Sequence, residues 1–242
     1  MRLIRKARFF WVYPLAIWLF VSASISERSL RLGVALALLG EALRLWANGH
    51  VGHVKVNETQ RGSNAPKIGR LVTAGPYAYV RHPLYVGTFL VGVGFCVVVR
   101  SAWLVLAALA FFFLVYRGKA RSEEATILHE WGEDYEAYRR VVPRWVPTFR
   151  RYPHGEGHWT WQGIWASKEP KTLVWVIVSL VALYFREEFF QEGHVLVGAH
   201  EAKHVVWLAV VVVLIVSDGV FELIRWSRRS RERAASMAAP GV

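Results

Sequence analysis

The chain has 242 residues, 54% of them hydrophobic and only 20% charged, yet 30 Lys and Arg stand against 18 Asp and Glu, a net charge of +12. This composition excludes an intrinsically disordered chain and argues against an ordinary soluble enzyme, leaving a nucleic-acid binder or an integral membrane protein with basic loops. The single cysteine, Cys96, excludes an internal disulfide and a cysteine-cluster metal site.

The arrangement of the apolar residues decides between the two. Six apolar runs follow one another: Phe9–Ile25, Leu30–Ala47, Pro83–Val99, Ala102–Tyr116, Thr172–Phe185 and Val205–Ile224. A bilayer core of about 30 Å takes roughly 20 helical residues, with about 17 tolerated when the flanks snorkel. The runs lack the alternation of polar and apolar faces that marks soluble helices. The predicted fold class is therefore all-α, a polytopic helical membrane protein with about six transmembrane helices.

In chain order, the first run has the basic start and small residues (Ser22-Ala23-Ser24) of a signal peptide. A Tyr13-Pro14 step and five later runs favour a retained helix instead. The second run carries Glu41 and Arg44 on one helix face, and the sixth carries Asp218 and Glu222, so both predict a polar stripe. The third and fourth runs are uncharged and are joined by Arg100-Ser101, which reads as the tight turn of a helical hairpin. Gly92-Val93-Gly94 within the third run reads as helix packing rather than a nucleotide loop.

Loop charge gives the orientation. The N-terminal arm, the loop from Asn48 to His82, the stretch from Arg117 to Lys171 and the C-terminal tail are rich in Lys and Arg, whereas the intervening loops are poor in cations. Six spans place every basic loop on one side, which predicts a multi-pass protein with both termini cytoplasmic. The basic excess is thus explained by topology and membrane lipids, with no nucleic acid as partner.

Two inside-facing stretches concentrate the polar chemistry. The first, GRLVTAGPYAYVRHPLYVG from Gly69 to Gly87, has a Gly75-Pro76 turn signal and a Pro83 suited to the first turn of a helix. Arg81 and His82 then sit at a helix N-terminus, where free N–H groups and the dipole favour an anionic group. The second, Arg117 to Phe149, continues the fourth span out of the bilayer as an amphipathic helix and carries Glu123-Glu124. The hairpin brings both stretches out side by side, so the cation–imidazole pair faces the paired carboxylates. Carboxylates suit the hydroxyl and amine groups of a nucleotide or amino-acid ligand, while Arg81 and His82 suit its carboxylate. His50 with His53, and His200 with His204, have spacings a metal can use but lack a third ligand, so no metal is expected.

Taken together, RHPLYVG and EEATILHEWGEDYEAYRRVVPRWVP resemble the isoprenylcysteine carboxyl methyltransferase family and its phospholipid methyltransferase relatives. The shared pattern looks like R-H-P-x-Y-x-G, then E-E-x-x-L, then G-x-x-Y-x-x-Y and a V-P-x-x-x-P ending. The resemblance covers about Gly69 to Phe149. It implies an integral membrane enzyme using S-adenosylmethionine, with a cytoplasmic cofactor pocket. Tyr77, His82, Pro83, Leu84, Tyr85 and Glu123 would line that pocket, with Arg81 among them and the backbone of Gly69, Arg70, Leu71 and Val72 alongside. The family usually has an arginine four residues before the first glutamate, near the methyl acceptor. Here that position is Lys119, which keeps the charge but loses the bidentate fork.

The expected activity is methyl transfer to a lipophilic or lipid-linked acceptor, most like isoprenylcysteine carboxyl O-methylation. Lys119 or Arg121 would orient a carboxylate acceptor; for an amine acceptor, Glu124 would take or relay a proton. Phospholipid N-methylation is the enzymatic alternative, and a non-catalytic membrane scaffold or transporter the other. The expected organisation is a membrane core over 1–150 and a C-terminal extension over 151–242 holding two further spans.

Overall fold

A computed structural model describes residues 24–51, 71–167 and 169–191, together with the isolated helical positions 209, 212, 213, 216 and 219. The apolar run Phe9–Ile25, save its last two residues, lies outside the described residues, as do Gly69, Arg70, His53, His200, His204, Asp218 and Glu222. Among the described residues every regular element is helical: α1 (Glu27–Val51), a 3-10 turn (Gly75–Ala78), α2 (Pro83–Val98), α3 (Ala102–Val141), α4 (Trp161–Ala166) and α5 (Glu169–Gln191). The chain forms two compact units, Met1–Pro170 and Lys171–Val242. The twenty residues after 150 therefore pack within the first unit. In the second unit, α5 buries Val176, Leu180, Val181 and Leu183.

Each helix start has a local cause. At the head of α1 the Ser26 N–H donates to Ser29 Oγ at 3.0 Å and the Ser29 N–H to Ser26 Oγ at 3.2 Å, satisfying donors that a helix end leaves open. Pro83 opens α2 directly after His82. The expected hairpin turn is present: Arg100 adopts φ 57°, and Ser101 caps α3 by accepting from the Leu104 N–H at 3.4 Å.

Among the described residues one helix, Ala102–Val141, is long and apolar enough to cross a membrane; Pro83–Val98 is apolar but shorter. The first half of α3 shows large side chains on several sides, Trp103 being 82% exposed and Leu114 76%. An apolar surface of that extent suits lipid rather than water.

The first two helices run antiparallel at very close range. A Cβ on Gly33 would lie 2.5 Å from Gly94 O, one on Gly94 2.6 Å from Gly33 O, and one on Gly40 2.6 Å from Gly87 O. Small residues permit this approach, and where lipid is the surroundings, packing and polar contacts take over from the hydrophobic effect. Ser29 Oγ adds a buried hydrogen bond across the pair to Val98 O, 3.2 Å. Gly94 is thus a packing residue, as its sequence context suggested, whereas nothing lies within 4 Å of a Cβ on Gly92.

The far half of α3 bends at Gly132, whose φ of 48° and ψ of −118° break the helix. A left-handed φ favours glycine because no Cβ meets the carbonyl. The bend turns Tyr135 and Tyr138 onto Ala78, Val142 and Tyr152, the principal core cluster of this end. Tyr138 Oη donates to Tyr77 O at 2.7 Å. The Gly-x-x-Tyr-x-x-Tyr spacing is therefore a bend followed by two buried anchors that hold the 71–80 segment.

The glycine interface generates a paired expectation. Gly94→Leu overpacks it and should cost about 1–3 kcal/mol, lowering the thermal midpoint of the detergent-solubilised protein. Gly92→Ala meets open space and should be neutral or stabilising by up to about 1 kcal/mol. Equal midpoints for the two variants by scanning fluorimetry would remove the close-approach argument.

Candidate functional site

The ends of α1, α2 and the exposed part of α3 converge around one cavity of about 230 Å³. It is lined by Val51, Tyr77, Arg81, His82, Pro83, Leu84, Tyr85, Lys119, Glu123 and Ile127. Most of the residues singled out in the two polar stretches meet here. Tyr85 Oη donates to Glu123 Oε1 at 2.5 Å, and the His82 and Tyr85 rings stack with centroids 5.3 Å apart. Lys119 Nζ stands 5.0 Å from the centroid of the Tyr85 ring, within range of a cation–π attraction. Burial, then the charges of Glu123 and Glu169, push the Tyr77 phenol above its ordinary range.

Glu123 and Glu124 are adjacent on a helix and so point about 100° apart. Glu123 faces the cavity. Glu124 is buried behind it, in a cage formed by His82, Arg81 and Arg144. His82 Nε2 lies 3.0 Å from Glu124 Oε1, Arg144 Nε donates to Oε1 at 2.9 Å and Nη2 to Oε2 at 2.5 Å, and Arg81 Nη1 stands 3.5 Å away. Burial works to raise the Glu124 carboxyl, but the hydrogen bonds from His82 and Arg144 and the Arg81 charge outweigh it and hold it at about 2. The same pair raises the Arg144 guanidinium.

A strap from Val142 to Thr160 closes this arrangement through backbone bonds. Arg81 N donates to Pro143 O (2.9 Å), Thr148 N to Tyr79 O (2.9 Å), Tyr152 N to Ala78 O (3.0 Å) and Thr160 N to Gly49 O (2.8 Å). The strap delivers Arg144 to Glu124 and lays Trp145 against the His82 and Tyr85 rings, centroids 5.5 and 6.2 Å away. From there an aromatic cluster continues through Tyr116 and Phe112 to Phe89 along the hairpin.

The remaining expected residues fall elsewhere. Leu71 packs on the Tyr135–Tyr138 core, and Val72 lies beside Gly157, so neither lines the cavity. Arg121 is exposed and, two positions from both Lys119 and Glu123, points to another side of α3. Arg144, Trp145, Val51 and Ile127 were not anticipated. The signal for Arg144 and Trp145 was their place inside the Val-Pro ending, two residues in the variable positions of a recognisable pattern. No cluster of three or more His, Cys, Asp or Glu suited to a metal occurs among the described residues.

Residues 33–129 match the model of the isoprenylcysteine carboxyl methyltransferase (ICMT) family. The chain is 30% identical over 119 residues to protein-S-isoprenylcysteine O-methyltransferase of Homo sapiens, covering 48% of this chain and 40% of that protein. It is 31% identical over 150 residues to the cobalt-zinc-cadmium resistance protein CzcN of Cupriavidus metallidurans, covering 62% and 57%. It is 39% identical over 71 residues to methanethiol S-methyltransferase of Crocosphaera subtropica, covering 29% and 27%. The matched part thus spans less than two thirds of each of these relatives.

The caged carboxylate has a pH signature. Because Glu124 sits below its ordinary value of 4.5, its contribution is complete above that value and is lost as pH falls toward about 2. The thermal midpoint should fall across that window, and Glu124→Gln should flatten that part of the slope. Arg144→Met should cost about 1–3 kcal/mol at pH 7, with a smaller penalty at pH 3. A penalty independent of pH would show that the cage is not what Arg144 contributes.

Proposed function

We propose that this chain is an S-adenosylmethionine-dependent methyltransferase acting on a lipophilic acceptor at the cytoplasmic membrane face, most like isoprenylcysteine carboxyl O-methylation. The observation that carries the reading is the cavity itself. Eight of the residues named from the two polar stretches line one space where an apolar helical hairpin ends.

The side chains present suit the methyl donor. Arg81 Nε is buried without a hydrogen-bond partner among the described residues, a donor whose burial costs free energy until an acceptor meets it. Arg81 would hold the donor's carboxylate, Glu123 its amine or ribose hydroxyls, and the Tyr77 and Tyr85 rings its adenine or sulfonium. When bound, the donor supplies an electrophilic methyl whose transfer turns a sulfonium into a neutral thioether. The chain's own task is then alignment and exclusion of water. His82 and Tyr85, backed by Trp145, form an aromatic wall, and Lys119 is placed to orient an anionic acceptor as a point charge.

Glu124 takes a different part in this reading from the proton relay considered above. A carboxylate held at about 2 inside a cage of His82, Arg81 and Arg144 is a poor proton acceptor. We therefore assign it to positioning His82, which favours an acceptor with no proton to lose over a phospholipid amine. The basic loops support six spans with both termini cytoplasmic, so that the cofactor arrives from the cytoplasm and the acceptor from the bilayer.

Two sets of measurements test this. In the first, calorimetry should show S-adenosylmethionine binding that His82→Ala and Glu123→Gln weaken by about 10- to 100-fold, one to two hydrogen bonds to charged groups, in protein that stays monodisperse. Lys119→Ala should lower kcat/KM with a total lipid extract by about tenfold or more at near-constant cofactor affinity, and Lys119→Arg should retain it. Alkali-labile label from radiolabelled donor identifies an ester, whereas alkali-stable label in lipid identifies the amine alternative. No binding at all by the wild type would return the chain to the scaffold reading. In the second, reporter fusions after Gly49, Gly118 and the C-terminus should report inside, and those after Ser26 and Gly193 outside. Gly118 outside would place the cavity on the wrong face.

A further inference from the structure

A second polar cluster lies beside the cavity, between α1 and α2. Arg44 is 15% exposed and pairs in bidentate fashion with Glu169, Nε to Oε2 and Nη2 to Oε1, each 2.9 Å. Its Nη1 also donates to Thr88 Oγ1, and the Thr88 hydroxyl in turn donates to Leu84 O at 2.8 Å. Glu41, fully buried, stands 3.6 Å from Arg44 Nε. One guanidinium therefore serves α1, the first turns of α2 and the start of α5.

Two features show that the fold is shaped around this side chain. A Cβ on Gly87 would lie 2.5 Å from Arg44 Cγ. The glycine that closes RHPLYVG is thus the point where the arginine crosses α2. Moreover, Thr88 uses Leu84 O, a carbonyl in the same turn as Tyr85, and both Leu84 and Tyr85 line the cavity. In an apolar setting an arginine left without partners is strongly disfavoured, so this bonding pattern resists rearrangement. The turn it grips is the turn that presents His82 and Tyr85.

We infer that Arg44 is a positioning residue: held in place by Glu169, it grips Thr88, fixes the first two turns of α2, and so sets the geometry of His82 and Tyr85 in the cavity. The consequence for ligand affinity rests on the function proposed above; the grip on α2 does not. Arg44 touches no cavity space itself. Its effect is transmitted by a hydroxyl and a backbone carbonyl, which a lysine cannot reproduce because it lacks the planar fork that reaches Glu169 and Thr88 together.

The test uses the full chain in detergent, with Arg44→Met, Arg44→Lys, Thr88→Val and the exchange Arg44→Glu with Glu169→Arg. Hydrogen exchange over residues 83–88 is read beside S-adenosylmethionine affinity and thermal midpoint. The inference expects exchange in that segment to quicken about tenfold or more in Arg44→Met, Arg44→Lys and Thr88→Val. Affinity in the folded fraction should fall about tenfold, and the exchanged pair should regain part of both. Thr88→Val keeps the reading testable should the arginine variants fail to insert. A lowered midpoint with unchanged affinity and unchanged exchange over 83–88 would make Arg44 a purely structural residue and overturn the inference. If the wild type binds no S-adenosylmethionine, the proposed function fails, and exchange alone decides: quickened in the variants supports the grip, unchanged overturns it.

Discussion

The site depends on one buried carboxylate. Glu124 alone at its depth would be costly to keep ionised, and the offsetting donors come from separate parts of the chain: Arg81 and His82 just before α2, and Arg144 on the strap after α3. Satisfying one side chain therefore requires three segments to be in place together. That requirement makes the cavity a property of the assembled fold rather than of either polar stretch. It also gives the two adjacent glutamates separate duties, because 100° of helix rotation sends one into the cage and the other to Tyr85 and the cavity.

What the sequence made legible follows from local rules. Uncharged runs separated by Arg100-Ser101 announced a hairpin, since two long apolar helices with so short a link have no other way to pack. The cap and first turn of α2 were readable from His82-Pro83, and the meeting of the polar stretches from the hairpin itself. What was not legible depends on long-range partners. Nothing in the spacing says that Tyr152, Thr160 and Glu169 bond back to Ala78, Gly49 and Arg44, so the first compact unit extends past residue 150 to Pro170. A pair of consecutive carboxylates cannot say which one faces a ligand, and a tryptophan among twelve does not announce that it will stack on the site histidine.

The close approach of α1 and α2 links the scaffold to the chemistry. Gly33, Gly40, Gly87 and Gly94 bring two backbones near enough for polar side chains to bridge them. Without that proximity Arg44 would not reach Thr88, and an arginine in an apolar run would be a liability. Polar contacts made at such short range between two packed helices are hard to exchange, because a buried guanidinium that loses its partners has few others within reach. The apolar exterior of α3 and the polar seam between α1 and α2 are thus complementary demands of one surrounding. Over residues 102–116 the exposed face of α3 offers nothing charged, and the seam hides its polar groups against one another.

The charge arrangement bears on which acceptor the proposed reaction favours. Methyl transfer from a sulfonium to a carboxylate or thiolate cancels opposite charges, and such a step gains from a dry site of low effective dielectric. Transfer to an amine leaves a cation behind and then requires a proton to depart. Lys119 stands in the cavity beside Glu123, and Glu124 is held ionised behind it by His82, Arg81 and Arg144, an arrangement that suits an anionic acceptor better than one that must give up a proton. In the proposed reaction the aromatic cluster that runs from Trp145 through Tyr116 and Phe112 to Phe89 would supply the apolar side of the same preference. Under the proposed function, a nucleophile anionic at one end and hydrocarbon at the other would meet complementary surroundings at both.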